Sequence, residues 1–446
     1  MLKNSNIIEH IFKNLCNSID EVALDISKYV VNPNKDFTRS KKLPVQDVIK
    51  FLIFQGSSGT KNEIYDYFLL NSNAPSASAL NQRRSKLMSN AFEAVFKIFN
   101  EHTAHYSDSD PSSYDLIAAD GSTFTFFSKE KWSCEEYHVT NGHSAKGFYS
   151  MHLNAFYNLT TNKYLDAIIQ PVHNKNEFGA FCDMVDRNSY HKKTIFIADR
   201  GYCSYNNMAH VVAKNQYFLF RSKDINSKGI LSGFEFPKEE TFDIHIKVTL
   251  VRKKSKDIIP IDRYWRFIDS KTTFDFIEYG SKDTYSLEFR VVRFPISDTE
   301  CECIITNLPE DELPTETIKT IYFLRWGIET SFRNLKYTIG LSNFHSYKPE
   351  QIKQEIWAKL IVYNFTQEII ASVTVNKKEK KHSYKVNFTV ASHVCRVSFR
   401  ADQNTNFLNI VKILEREIIP IRDGRKYERL KTAHFRKPRY TLYRAS

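Results

Sequence analysis

Paired cysteines are what this chain most plainly lacks. Its 446 residues include seven, at positions 16, 134, 182, 203, 301, 303 and 395. They are scattered, with no C-x-x-C pair and no partner pattern of histidines, which argues against both a disulfide framework and a structural zinc site. A long apolar run is also missing. The most apolar stretch, Ile356–Val375, is broken by Lys359, Asn364, Gln367 and Glu368, so it reads as a core helix and not as a membrane span. The amino terminus, MLKNSNIIEHIF, has no apolar segment followed by a small-residue cleavage site. These absences point to a reducing, cytoplasmic setting. There is no internal repeat. Negative charge is in the minority: 51 acidic residues stand against 63 basic ones, for a formal net charge of +12. Such an excess favours a polyanionic partner, nucleic acid above all. Apolar residues make up 42 %, enough for packed cores, and the length predicts more than one structural unit.

The first 106 residues read as helical. Val45–Phe54 follows Pro44, a second helix spans about Lys61–Leu70, and a third begins after Pro75 with Ser76 as its cap. Three short helices, the third carrying Asn81, Gln82, Arg83 and Arg84, resemble a helix-turn-helix unit whose last helix reads DNA bases. The same residues equally describe a solvated helix face. A polar run, Ser107–Ser113, marks a linker. Residues 114–223 then follow an α/β order: a strand ending at Asp120, a hairpin of Phe148–Tyr157 with Tyr164–Gln170, a helix over Asn176–Asn188, a strand Lys193–Ala198 ending at Asp199, a helix Tyr205–Lys214 and a strand Tyr217–Phe220. In residues 224–312 apolar and polar residues alternate at 244–250 and 285–291, the mark of half-buried antiparallel strands. This block reads as a β-rich insertion. Residues 313–373 return to helical spacing, with one helix over Thr315–Leu341 and another over Pro349–Val373. The C-terminal region, 374–446, ends in a basic tail holding nine Lys or Arg from 422 onward against Asp423 and Glu428.

Phosphodiester chemistry needs several carboxylates brought to one point, where they hold divalent metal ions. Asp120 and Asp199 each end an apolar strand, and the C-terminal ends of neighbouring strands are the usual place for a site in an α/β sheet. A strand-end aspartate is also an ordinary turn former. On the helix, Tyr322, Arg325, Glu329 and Lys336 fall within an arc of about 60°. A carboxylate flanked by cations suits a metal ligand beside phosphate-holding groups. The alternative is an i,i+4 surface ion pair.

Tyr322-x2-Arg325-x3-Glu329-x6-Lys336 resembles the Y-R-E-K signature of bacterial insertion-sequence transposases of the insertion-sequence-four family, in all four letters and all three spacings. The segments AADGS at Asp120 and ADRGY at Asp199 are similar too. The resemblance runs from about residue 36 to the basic tail. It implies an RNase H-like catalytic core interrupted by a β-rich insertion, with an N-terminal helical domain and a helical, basic C-terminal region. It implies a DNA transposase with Asp120, Asp199 and Glu329 as catalytic residues and metal ligands, Mg²⁺ as cofactor and Mn²⁺ as a substitute. Tyr322, Arg325 and Lys336, with Arg200, Arg221 and Lys223 at the same mouth, are assigned to DNA. The implied partners are double-stranded DNA, as element ends and as target, and a second copy of the chain. Two other readings fit the same residues: a non-catalytic DNA-binding descendant of such an enzyme, and an RNase H-like nuclease without strand transfer. One departure stands out. Relatives that cut through a DNA hairpin stack a flipped base on a tryptophan late in the insertion, whereas the insertion's tryptophan here is Trp265, well before Cys301-Glu302-Cys303.

Overall fold

A computed structural model describes residues 2–39, 43–104, 114–128, 135–141, 144–254, 263–298, 300–374, 383–401 and 405–421. The basic tail from 422 and the linker at 107–113 lie outside the described residues.

Five helices open the chain: α1 (Leu2–Leu24), α2 (Val45–Phe54), α3 (Thr60–Tyr67), α4 (Ala77–Arg84) and α5 (Asn90–Thr103). Ser76 caps α4 as its position predicts, its hydroxyl accepting from the Ala79 N–H at 3.2 Å. The strands and helices that follow are β1 (Asp115–Phe126), β2 (His138–Asn141), β3 (Ser144–Asn158), β4 (Lys163–Pro171), α6 (Glu177–Arg187), β5 (Thr194–Ala198), α7 (Tyr205–Ala213) and β6 (Tyr217–Ser222). Next come β7 (Phe242–Val251), β8 (Trp265–Phe267), β9 (Thr284–Pro295) and β10 (Cys301–Thr306). The chain closes with α8 (Thr315–Leu324), α9 (Trp326–Arg333), α10 (Pro349–Ala371), a short β11 (Tyr384–Val386), α11 (Phe388–Ala401), α12 (Phe407–Arg416) and β12 (Ile418–Pro420).

One mixed sheet organises the molecule, in the order β2-β3-β1-β5-β6-β10-β9-β7-β8, with β4 on β3. β5 is parallel to both β1 and β6, and β3 is antiparallel to β1. The 244–250 and 285–291 alternations fall on β7 and β9, which pair antiparallel. These strands do not form a separate sheet. β10 pairs with β6 from Cys303↔Ser222 to Thr306↔Leu219, so the β-rich block extends the first sheet at its β6 edge.

Helices cover both faces. On one face, α6 and α7 pack through Phe181, Met184, Met208 and Val211 onto Ala119, Ala198 and Phe220. On the other, Ile328 and Phe332 of α9 join Ala118, Phe124, Leu153 and Tyr164. The N-terminal helices share that same cluster: Leu15, Phe51, Phe54 and Phe96 lie in it with Trp357, Leu360, Phe365 and Leu414 from α10 and α12. α10 is buried almost all round, as a helix at the centre of a core must be. Its polar residues are paired: Asn364 donates to the Tyr164 carbonyl at 2.7 Å, and Lys163 of β4 meets Glu368.

Candidate active site

The β1–β5 ladder ends at the pair Ala119↔Ala198. Side chains alternate between faces along a strand, so residues two apart share a face. Ala118 clusters with Ile328 and Phe332, and Ile197 clusters with Ile318 and Tyr322. Asp120 and Asp199, two residues beyond, therefore turn to the face that α8 and α9 cover. Asp199 does end its strand, and its Oδ1 accepts from the Arg200 N–H at 2.7 Å to start a 3₁₀ turn. Asp120 does not: β1 continues to Phe126, held on one side only, by β3. Its Oδ1 accepts from the Gly121 N–H at 2.8 Å.

The third acid comes from the helices above. The single helix expected over Thr315–Leu341 is broken. At Arg325 the N–H bonds to the Tyr322 carbonyl at 3.0 Å, a three-residue spacing that separates α8 from α9. Asn334–Thr338, which holds Lys336, is a π-turn closed by the Ile339 N–H on the Asn334 carbonyl at 2.9 Å. Such turns are wider than an α-helix and recur at functional sites. The ideal-helix arc is thus a coarse guide here. Ile328 and Phe332 are buried as the spacing requires, while Phe323, Leu324 and Trp326 are exposed. Gly327 lets α9 lie close, because a Cβ there would stand 2.8 Å from Leu159 Cδ2.

These residues feel one another. Burial pushes the Asp120 carboxyl up to about 6; the Gly121 N–H and Arg325 oppose the rise, and Glu329 and Glu177 add to it. Burial likewise lowers the Lys336 ammonium, with Asp120 opposing, and Lys336 Nζ stands 5.0 Å over the Phe124 ring. Burial raises the Tyr322 hydroxyl to about 12, Arg325 opposing and Asp199 adding. The Arg325 guanidinium is buried and bonds Glu329 Oε1 at 2.8 Å. Two buried donors in this group have no hydrogen-bond partner among the described residues, Tyr322 Oη and Arg325 Nε.

Among the described residues no three His, Cys, Asp or Glu side chains stand close enough to hold a metal ion as placed. Each of the three acids is held by a neighbour instead. Glu329 is turned onto Arg325, and each aspartate accepts its neighbour's backbone N–H. The donor set itself, carboxylate oxygens on one face, suits a hard divalent cation once Glu329 leaves Arg325.

Beside Asp199 lies a cavity of about 570 Å³ lined by Arg200, Arg221, Lys223, Lys228 and Glu302, among others. Arg221 Nη1 stands 4.0 Å from Asp199 Oδ1, but its Nε bonds Glu302 Oε1 at 2.9 Å. Burial raises the Glu302 carboxyl, with Arg221 and Arg325 opposing. Glu302 is an acid of this cavity that no sequence motif singles out. Its signal was a charge between two cysteines on an otherwise apolar strand.

On α4 the outcome differs. Arg84 is 2 % exposed. Its Nε donates to Gln354 Oε1 at 2.9 Å and its Nη2 pairs with Glu355 Oε1 at 2.9 Å. Arg84 therefore holds α4 to α10 and cannot reach DNA; the expectation that it reads bases is corrected. Arg83 is half-buried, with its guanidinium 3.8 Å over the Phe37 ring and Nη2 donating to the Leu43 carbonyl at 2.9 Å. Asn81 and Gln82 are exposed.

Residues 111–365, more than half of the chain, match the Transposase DDE domain family, and the chain belongs to that family. The expected kinship with insertion-sequence transposases is borne out. A stretch of 67 residues is 37 % identical to the putative transposase InsL for insertion sequence element IS186A of Escherichia coli (strain K12), covering 15 % of this chain and 18 % of that protein. The match thus spans under a fifth of that relative's length. The transposase for insertion sequence element IS231E of Bacillus thuringiensis subsp. finitimus is 22 % identical over 308 residues, 61 % of this chain and 62 % of that one. Among solved structures, a piggyBac transposase synaptic complex with hairpin DNA aligns with a TM-score of 0.45 at 8 % identity, over 94 % of this chain and 84 % of that chain. Among the described residues no helix is long and apolar enough to cross a membrane.

Proposed function

We propose that this protein is a DNA transposase that cuts the ends of an insertion sequence and joins them to target DNA. Asp120, Asp199 and Glu329 are its catalytic carboxylates in this reading, and the portion β4-β3-β1-β5-β6 is its RNase H-like core. The observation that carries the proposal is the shared face: Asp120 within β1 and Asp199 just past the end of β5 turn toward the same helices that bear Glu329. The three carboxylates would hold divalent cations, Mg²⁺ or in its place Mn²⁺, which when bound supply Lewis-acid stabilisation of the reacting phosphate and an activated water or 3′-hydroxyl.

The chain's own groups act around that chemistry. Arg325, buried beneath the site, bonds the scissile phosphate in exchange for Glu329, and Tyr322 Oη adds a second donor. Lys336 balances Asp120. Arg221 leaves Glu302 for a neighbouring phosphate, with Arg200 and Lys223 beside it in the basic cavity. The exposed pair Asn81 and Gln82, not Arg84, remains for base reading on α4, and both carry side chains that suit adenine edges. The tail beyond 422 adds backbone contacts without sequence preference. Two copies of the chain bring two element ends together.

The test is to incubate the protein with DNA carrying the sequences that flank its own gene and a target plasmid, in Mg²⁺ and in Mn²⁺. The expected products are cuts at the flank boundaries with free 3′-hydroxyls, followed by joining into the plasmid. Cutting without joining would make the protein a nuclease, and absence of cutting in both metals would overturn the enzymatic reading.

A further inference from the structure

The site has a second side. β1 loses its β5 neighbour after Ala119, so the segment that carries Asp120 is held by β3 alone. Cross-strand partners share a face, and on the face away from α9 the pairs are Gly121↔Asn154, Thr123↔His152 and Thr125↔Ser150. A row of polar side chains, Ser150, His152 and Asn154, is thus buried behind the catalytic strand, at 1 %, 2 % and 0 % exposure. Burying a polar group is unfavourable unless it is bonded, and Ser150 Oγ, His152 Nε2 and Asn154 Oδ1 have no hydrogen-bond partner among the described residues.

His152 stands nearest to Gly121, with Asn154 Oδ1 next, 3.3 Å from where a Cβ at 121 would be. His152 Nδ1 shares a hydrogen bond with Thr123 Oγ1 at 3.1 Å, and its Nε2 stands 3.0 Å from Glu177 Oε1 at the start of α6. Bonded to Thr123 and close to Glu177, the imidazole lies against Gly121. A Cβ at position 121 would sit 2.3 Å from His152 Nε2 and 2.8 Å from Cε1, so a side chain there would displace the ring. The Gly121 N–H is the group that fixes the Asp120 carboxylate. A chain of contacts therefore runs from Glu177 through His152 to the Gly121 peptide and on to Asp120.

We propose that His152 and Glu177 are positioning residues for Asp120, acting through the Gly121 backbone from the far side of the sheet. The His152 ring replaces the support that β5 no longer gives. Glu177 keeps the ring turned, and Lys175, 2.6 Å from the same carboxylate oxygen, steadies Glu177 in turn. Neither residue touches the reacting phosphate. Their contribution is the aim of one carboxylate. Groups that orient a ligand from behind typically change metal affinity by roughly 10–100-fold when removed.

This inference rests on the proposed role of Asp120, and one experiment separates the two. Mn²⁺ binding to the full-length protein, without DNA, is measured by the electron paramagnetic resonance signal of the free ion. Asp120→Ala should abolish the tightest binding. His152→Ala should weaken it by roughly ten-fold, and Glu177→Ala should weaken it in the same sense. Glu177→Gln, which keeps an oxygen facing His152, should restore near-native affinity. Ser150→Ala, on the same buried face but remote from Gly121, should leave it unchanged, which separates aim from general loosening of the strand. Native affinity in folded His152→Ala beside a defective Asp120→Ala would overturn this inference and leave the proposed site standing. Native affinity in Asp120→Ala would overturn the site itself. Should His152→Ala fail to fold, Glu177→Ala against Glu177→Gln decides, with equal affinities counting against the proposal.

Discussion

Two places in this molecule set arginines on short helices, and they treat the cations differently. At the end of α4, Arg84 is enclosed by Gln351, Gln354 and Glu355, and Arg83 lies on Phe37 with a bond to the Leu43 carbonyl. Between α8 and α9, Arg325 is just as deeply set, yet its Nε and the nearby Tyr322 Oη keep unfilled bonding capacity beside acids. Arg83 Nε is also without a partner, so the contrast is with Arg84: an arginine clasped by acceptors of a neighbouring helix is mortar. One with a free donor at a mouth lined by carboxylates is poised for a phosphate. Residue type and helical spacing look alike in both places, and what differs is the partner each faces.

The comparison breaks most visibly at the acids. Asp199→Ala in full-length protein should reduce cleavage of element-end DNA to background while gel-shift affinity for the same DNA stays near native, because affinity comes from phosphate contacts spread over the surface. Cleavage by the variant at native rate would remove Asp199 from the site. Arg84→Ala should do the reverse. Removing one partner of a buried ion pair leaves the other charge stranded and destabilises by about 3–5 kcal/mol. The denaturation midpoint should fall, with end preference intact in the folded fraction. The same pair gives a pH signature. Burial pushes the Glu355 carboxyl up, but Arg84 and His345 outweigh it and hold it well below the usual range. A depressed carboxyl stabilises the fold above the unfolded value, near ~4.3, and that stability drains away as pH falls below it. Glu355→Gln should flatten the acid limb of the stability profile; an unchanged limb would mean that other groups set it.

A smaller effect sharpens the contrast from the acidic side. Asp120 is pushed up to about 6 by burial. The folded state then binds a proton that the unfolded state releases near ~3.9, so metal-free stability falls as pH rises from about 4 to about 6. Asp120→Asn should stabilise the metal-free protein at pH 7.5 by on the order of 2–3 kcal/mol, lose that advantage near pH 4, and be inert in cleavage. Calorimetric melts with chelator at the two pH values check it. No gain at pH 7.5 would mean that Asp120 sits more comfortably than its burial implies.

Much of this was legible from residues alone, for physical reasons that also mark where legibility ends. Period-two alternation gave β7 and β9, and helical spacing from Thr315 gave the helices over the site, though as one run where the chain forms α8, α9 and a π-turn. The strand end before Asp199 was readable because the apolar run stops there, whereas the end expected at Asp120 is not one, since β1 runs on to Phe126 on its β3 side. The missing information was tertiary. Nothing local distinguishes Arg84 from a solvated cation, since its partners lie about 270 residues away. Helical spacing does not report the breaks at Arg325 and at Asn334–Thr338. The buried row on β3 was visible as polar residues at 150, 152 and 154 in an apolar strand, but its meaning depends on Gly121 across the ladder.

The smallest expected effect concerns Arg325 itself. If it holds one phosphate, Arg325→Ala should lower the dependence of log Kd on log salt by about one unit of slope, for element-end DNA. The change should be confined to slope and modest affinity, since one contact among several is lost. Arg84→Met, which removes an equal charge, should leave the slope alone, because that charge is neutralised inside the protein by Glu355 and releases no counterion on binding. The pair of variants therefore asks whether equal formal charges act unequally at the DNA surface. Equal slopes for both would mean that Arg325 stays on Glu329 in the complex, and the phosphate would then have to be held by Lys336 or by the Arg221 cavity instead.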